Sequence, residues 1–396
     1  MGSGNMQGPN HSRRLGPGIL LALAYPGLKL LIRILQRQRE RVPDQPTAQA
    51  SGADRARLIV YQDYQVGDLF MAMPAIQLLS RHMQVTVLCR PGCQFLFREA
   101  GLSAVGFHNP FFARAALDTF RIAFRNAWSL RGSLAGDALD LDADPRSAFF
   151  LKVAGAGRTF AYARKFSWLF DATFPLPSLP RHQADKNVAV AEAFLRLRGL
   201  LSPAPAGLPG NPGSSEIVTD PSPSSAVAKR DSRNLILSCW TRKDEKNWPL
   251  ENWDRVAAFL HARGARPQIL VPPDGDGEFH RFRARWQDKV EFLAGDLEAV
   301  FRRVRDSAGV LCTDNFLGHM GAYLEKPVFW INGSSDPDHV APKGKGPKSR
   351  IVQFEPMPCR PCGHRCVNAV YKQCLLELHP DAVLAQLEDW LAHDLK

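Results

Sequence analysis

From residue 57 onward, short apolar runs alternate with stretches whose apolar residues recur at helical spacing. LIVYQ (58–62) reads as a buried strand, followed by a loop ending in Gly67-Asp68 and a helix through Leu69–Met83. VTVLC (85–89) predicts a second strand and 94–100 a helical patch. The run 111–131 reads as helix, ALDLD (138–142) as strand and 147–155 as helix again. Strand and helix in turn predict a parallel sheet covered on both faces. Between 202 and 233 the pattern stops. Six prolines and three glycines stand there among Ser, Ala and Asn, the composition of a flexible linker. A second alternating block follows, with strands at 235–239, 268–272, 290–293, 309–312 and 328–332. Its helices are expected near 250–263, 277–287, 297–306 and 317–324, with a last one from Asp381 to about His393.

This organisation predicts four segments: an extension (1–56), an α/β domain (57–201), the linker (202–233) and a second α/β domain (234–396). Two parallel-sheet blocks on a linker predict a cleft between them. Ligands of such sheets bind beyond the carboxyl ends of the strands, so the residues just after each strand carry the chemistry.

The extension follows a different pattern. GILLALAYPGL (18–28) is broken by Pro26 and is shorter than the roughly 20 apolar residues a membrane span needs. No small-residue cleavage site follows it, which argues against a signal peptide. From Leu28 to Gln38, Leu28, Leu31, Ile32 and Leu35 share one helical face, and Lys29, Arg33, Gln36 and Arg37 cover the other. That is the pattern of a helix resting on anionic lipid, or of one packed on the body. Residues 1–14 and 42–56 are polar and read as disordered.

Composition narrows the class. The 396 residues are 45% hydrophobic and 22% charged, ordinary for a globular protein, which excludes collagen-like, coiled-coil and wholly disordered readings. The net charge of +11 calls for an anionic partner, yet residues 1–42 hold seven cations against one anion, more than half of that excess. A body so mildly basic is not expected to bind nucleic acid. Cys89, Cys93, Cys239 and Cys312 lie in or beside apolar runs, as buried thiols of a reducing, cytoplasmic compartment do.

Four post-strand loops carry candidate chemistry. Asp68 opens a helix, where the dipole favours a carboxylate; it is either a proton acceptor for a hydroxyl nucleophile or a helix cap. Thr241 and Lys246 precede a helix begun by Pro249, a hydroxyl and an ammonium suited to a diphosphate. Asp314, Asn315 and His319 occupy another strand-to-helix turn, and Gly333 to Pro337 form a further turn lining the same cleft. Neither a Walker loop nor a dinucleotide fingerprint is present. Cys359, Cys362, Cys366 and Cys374, with His364 among them, have a spacing that reads as a zinc or iron–sulfur site, or as thiols without metal.

Together these loops resemble glycosyltransferase family nine, the lipopolysaccharide heptosyltransferases. VGDLFMAMPAIQLL (66–79), TRKDEKNWPLENW (241–253), TDNFLGHMGAYLEKPVFWING (313–333) and PCRPCGHRC with HPDAVLAQL carry the resemblance, in order, over 57–395. It implies a GT-B fold, two Rossmann-like domains facing a central cleft. It also implies an inverting transfer of heptose from ADP-heptose to a lipopolysaccharide core or other lipid-linked acceptor. No cofactor is implied for catalysis, and the place of action is the inner face of the cytoplasmic membrane. By the same resemblance Asp68 is the general base, and Thr241 and Lys246 hold the donor diphosphate. Glu278 lies where a nucleotide- or ribose-binding Glu is kept, and Asp314, Asn315 and His319 line the donor site, with Asp314 and His319 anchoring sugar and phosphate. Asn315 and Phe316 stand where the family has Thr and Gly, which reshapes that contact. A relative using another nucleotide sugar, or a non-catalytic metal-binding module with a vestigial nucleotide loop, are the alternative readings.

Overall fold

The computed structural model describes residues 55–111, 116–164, 167–175, 182–202, 234–273, 277–362 and 365–395. The expected lipid-facing helix at 28–38 and almost all of the expected linker lie outside the described residues.

The first half folds as β1 (Arg57–Gln62), α1 (Val66–His82), β2 (Gln84–Cys89), α2 (Gln94–Glu99) and β3 (Ser103–Gly106). It continues through α3 (Leu117–Ser129), β4 (Asp137–Asp140), α4 (Pro145–Val153), β5 (Thr159–Tyr162), β6 (Ala172–Phe174) and α5 (Gln183–Leu197). The second half begins with β7 (Asn234–Ser238), α6 (Leu250–Ala262), β8 (Arg266–Leu270), α7 (Gly277–Trp286), β9 (Glu291–Leu293) and α8 (Leu297–Asp306). After these come β10 (Gly309–Thr313), α9 (Phe316–Tyr323), β11 (Val328–Ile331), α10 (Pro337–Val340), β12 (Arg350–Val352), α11 (Gln373–Leu376) and α12 (Pro380–His393).

Each half builds a six-stranded parallel sheet. The first runs β3-β2-β1-β4-β5-β6 and the second β12-β11-β10-β7-β8-β9. Read from β9, the second repeats the order of the first. Both are doubly wound, with the strand order reversing between β1 and β4 and again between β7 and β10. At such a reversal the flanking loops part to opposite faces and leave a crevice at the strands' carboxyl ends.

β1 shows why both faces are covered. Leu58 and Val60 pack with Leu69, Met73 and Ile76 of α1 and Phe194 of α5, whereas Ile59 and Tyr61 pack with Ala123 and Ala127 of α3 and Phe150 of α4. A strand buried on both sides reads as an unbroken apolar run, which is what 58–61 is.

The halves meet through apolar surface. The ring centroids of Phe70 and Tyr323 are 5.5 Å apart, as are those of Phe95 and Phe301. His182, which caps α5 by accepting the Ala184 N–H at Nδ1, donates from Nε2 to the Ala341 carbonyl at 2.8 Å across the junction. Asp185 pairs with Lys343 at 2.7 Å beside it.

The structure corrects several sequence expectations. α1 starts at Val66 rather than Leu69. The helix expected over 111–131 occupies 117–129, with Phe111 in a turn and 112–115 outside the described residues. The strand expected to reach residue 142 stops at Asp140, because that carboxylate accepts the N–H groups of Asp142, Ala143 and Asp144 and curls the chain into a turn. β3, β5, β6, β12 and α5 have no counterpart in the sequence reading.

Candidate functional site

Both crevices are lined by side chains from the loops that leave the central strands. In the first half, β1 leads into α1 and β4 into α4. Gln65 is the N-cap of α1 but contributes no side-chain bond, so Asp68 is the third helical residue and accepts the Gln65 backbone N–H. The capping role is therefore real, although Asp68 is not the N-cap itself. Burial raises the Asp68 pKa to about 6, while the Gln65 N–H, Lys246 and Lys243 act in the opposite direction.

A second acid stands beside it. Asp142 follows β4, and burial, Asp140 and Asp68 together push its carboxyl well above the ordinary range. The Gln62 amide, with nitrogen turned toward it, donates to Asp142 at 2.9 Å. Behind them Asp140 is fully buried and raised to about 7 by burial, opposed by its bond from Ser147 and by backbone N–H groups. Like charges gathered in a half-buried site cannot all ionise at neutral pH, so this edge holds protons.

The edge of the second half holds cations and donors. Lys246 ends a short turn (Asp244–Lys246) after β7, and its Nζ lies 2.6 Å from Asp314 Oδ2 and 3.2 Å from Ser335 Oγ. Ser335 donates to the same Asp314 carboxylate, which closes a triangle. Asp314 is only 5% exposed, so the ammonium compensates a buried charge. The triangle uses two of the three Nζ protons and leaves one for a ligand. The turn itself is rigid: the Asn247 amide bonds both the N–H and the carbonyl of Thr241, and Thr241 Oγ1 accepts the Lys243 N–H at 3.0 Å. Thr313 donates its hydroxyl to the Lys246 carbonyl and ties this loop to β10.

Asn315 caps α9. Its Oδ1 accepts the Leu317 N–H at 3.0 Å and its Nδ2 donates to Ser238 Oγ at 2.7 Å, joining the ends of β10 and β7. Phe316 packs against the apolar cluster that the two halves share. His319, one turn along α9, is 8% exposed and lowered to about 4, mainly by burial, so it is neutral at physiological pH. It faces the first half directly. A Cβ placed on Gly67 would stand 3.0 Å from His319 Cδ2, a contact so tight that the His319 ring would have to shift by a few tenths of an ångström where α1 meets α9. Asp68, Lys246, Asp314 and His319 thus lie about one junction, while Glu278 stands exposed in the first turn of α7, one strand away from the β7–β10 crevice.

The sequence reading gave no role to Asp142, Lys243 or Ser335. Asp142 was hidden inside an expected strand. Ser335 and Lys243 had only their place in post-strand loops to signal them.

A family model described as glycosyltransferase family 9 (heptosyltransferase) matches residues 124–369, more than half of the chain. The chain belongs to glycosyltransferase family 9. The matched stretch contains Thr241, Lys246, Asp314 and His319 and begins after Asp68. Lipopolysaccharide heptosyltransferase 1 of Escherichia coli (strain K12) is 29% identical over 106 residues, 26% of this chain and 33% of that protein. The alignment therefore spans about a third of that relative's length. The family 9 chain also resembles E. coli heptosyltransferase WaaC solved with ADP, at 19% identity and a TM-score of 0.61, over 84% of this chain and 99% of that one. E. coli ADP-heptose lps heptosyltransferase II gives 17% identity and a TM-score of 0.60, over 86% and 100%. At these identities the likeness is one of fold: two Rossmann-like domains facing a cleft, the GT-B arrangement.

In this family 9 chain the cysteine segment braces the carboxyl edge of the second sheet. Arg360 Nε donates to the Gly333 carbonyl at 2.8 Å, the Cys362 N–H to the Ser334 carbonyl, and Lys372 Nζ to Asp244 at 2.9 Å. The Cys359 and Cys362 sulfurs are 3.9 Å apart, and burial together with the other three thiols pushes Cys362 up to about 11. Among the described residues no three His, Cys, Asp or Glu gather closely enough to hold a metal ion; His364 lies outside them. No helix among the described residues is long and apolar enough to cross a membrane.

Proposed function

We propose that the chain is an inverting glycosyltransferase that moves a heptose from ADP-heptose to a hydroxyl of a lipopolysaccharide core or other lipid-linked acceptor. The observation that carries this reading is a carboxylate raised to about 6 that feels, across the junction of two doubly wound sheets, an ammonium held by Asp314 and Ser335. In this reading Asp68 accepts the proton of the attacking hydroxyl as its oxygen bonds the anomeric carbon. The bond from that carbon to the diphosphate breaks on the opposite face, inverting the configuration, and the nucleotide leaves with the electron pair. Lys246, through its remaining N–H, and Lys243 meet the charge that grows on the diphosphate. Thr241 and the N-terminus of α9 add donors, and neutral His319 offers a hydrogen bond without further charge. Glu278 is the candidate for the ribose. The similarity to proteins named for ADP-heptose, or solved with ADP, supports the choice of donor.

Asn315 keeps the nucleotide base a separate question, because its amide is already engaged by Ser238 and Leu317. Thermal shift against ADP, UDP, GDP and CMP sugars answers it: stabilisation by the ADP sugar alone is expected, and stabilisation by another nucleotide alone replaces the donor. The reading sets the reaction on the cytoplasmic face of the membrane, where a lipid-linked acceptor is presented.

A structural zinc or iron–sulfur centre at Cys359, Cys362, Cys366 and Cys374 is proposed apart from the reaction. Its support is the sequence spacing of the four thiols and the 3.9 Å separation of the Cys359 and Cys362 sulfurs. Among the described residues no third ligand stands close enough to complete the site, so binding would require the segment to close around the ion. Metal analysis of protein purified without chelator should find about one equivalent per chain. Four titratable thiols without metal would remove the proposal.

A further inference from the structure

We propose that the outer face of α3 is a docking surface for an anionic lipid bilayer. α3 buries only Ala123 and Ala127. Leu117 is 65% exposed, Trp128 51% and Ile122 37%. A helix that belonged only to the core would turn such residues inward. Arg121 and Arg125 are exposed between them, and the Arg131 guanidinium sits 4.8 Å from the centroid of the Trp128 ring. Positions 117, 121, 125 and 128 advance by four, four and three, so Leu117, Arg121, Arg125 and Trp128 form one stripe about 17 Å long. Across 117–131 three arginines oppose the single acid Asp118, which Arg121 already approaches at 3.7 Å.

The stripe rests on a firm base. The Phe124 and Trp128 rings stack at 5.9 Å, and the Phe120 and Phe149 rings stack at 5.7 Å beneath. A fixed tryptophan flanked by arginines matches the headgroup region of a bilayer, where the ring sits among glycerol backbones and guanidinium groups reach lipid phosphates. Apolar residues interleaved with a net positive charge favour an anionic lipid surface over a second copy of this basic chain.

The placement of α3 gives the surface a use. α3 lies in the crossover from β3 to β4, so its N-terminus starts at the carboxyl edge of the first sheet. Asp68 and Asp142 follow β1 and β4 at that same edge. A bilayer against α3 therefore lies beside the acid-lined crevice. The inference rests on this surface alone, and its test measures no transfer, so its failure would leave the donor-site reading intact.

The test is co-sedimentation of the full chain with vesicles of phosphatidylcholine, with and without about 30% phosphatidylglycerol. The protein should partition onto the anionic vesicles and only weakly onto the neutral ones. The pair Leu117→Ser with Trp128→Ser should lower that partition by at least about tenfold. Arg121→Gln with Arg125→Gln, which alters no buried contact, should lower it by a similar factor and flatten its dependence on salt. Wild-type partition in both pairs would overturn the proposal and place lipid binding elsewhere, the 28–38 segment included. So would a wild-type chain that binds neither vesicle, or variants whose only change is weaker self-association.

Discussion

The carboxyl edges of the two sheets have the same topology and opposite chemistry. The first gathers Asp68, Asp140 and Asp142, whose burial raises every one of their pKa values. The second gathers Lys243, Lys246, the capped N-terminus of α9 and a neutral His319. One fold supplied both, because the post-strand loops determine the chemistry and the sheet only fixes where they meet. The acidic edge can take a proton; the basic edge can hold an anion. A transfer reaction that needs both is served by setting one edge against the other, and contact between Gly67 and His319 does that.

Breaking the acidic edge should have the largest effect. Asp68→Asn keeps the shape and loses the base, so turnover should fall by roughly 10³-fold with donor affinity within about twofold of wild type. Wild-type turnover should also rise with pH through about 6, because the base must be ionised to act. Single-turnover rates of both proteins from pH 5 to 8 check this. Near wild-type turnover in Asp68→Asn would leave Asp68 only its bond to the Gln65 N–H.

Breaking the basic edge comes next. Lys246→Ala should lower turnover at saturating donor by about 10²-fold and weaken donor binding as well. It also strands the buried Asp314 carboxylate, at a cost of about 3 kcal/mol in stability. The double variant Lys246→Ala with Asp314→Asn separates the two effects. Stability should return in denaturant titrations while turnover stays low. Recovery of both would make the pair structural and leave the diphosphate without its ammonium.

Asn315→Ala tests whether the basic edge is preorganised. It removes the α9 cap and the bond to Ser238, and should cost about 2 kcal/mol in urea unfolding. Donor affinity should fall further than stability alone explains, because the end of β7 loses its tie to β10.

The central framework was legible in the sequence for a physical reason. Strands buried on both faces are apolar runs, and the loops after them carried Asp68, Lys246, Asp314 and His319 in plain view. The edge strands were not legible. Ser103–Gly106, Ala172–Phe174 and Arg350–Val352 span three or four residues with no periodicity, and only pairing with a neighbour makes them strands. α5 had no place in the expected pattern, and in the fold it packs chiefly against α1. Within the site, the Lys246–Asp314–Ser335 triangle joins residues up to 89 positions apart, which no spacing rule detects. Asp142 was missed because the turn that sets it beside Asp68 is made by the Asp140 carboxylate, a side-chain bond invisible to a hydrophobic pattern.

Asp142 therefore offers the finest test of the acidic edge. It shares that edge with Asp68, but its pKa is pushed well above the ordinary range whereas Asp68 reaches about 6. Burial and the neighbouring carboxylates favour the protonated form of Asp142, so Asp68 is assigned as the member that ionises first, the two titrating as a pair. Asp142→Asn imitates that protonated form, so turnover at pH 7 should stay within about threefold of wild type, against the roughly 10³-fold loss in Asp68→Asn. Stability should move the other way. A carboxyl whose folded pKa exceeds its unfolded value makes the folded state lose stability as pH rises from about 4 toward the folded pKa. Asp142→Asn removes that loss, so its Tm should exceed wild type by about 2–4 °C at pH 8 and match it at pH 4. Melting curves at both pH values check the sign. A turnover loss as large as that of Asp68→Asn, with no gain in Tm at pH 8, would make Asp142 the ionised member and reverse the assignment of the base.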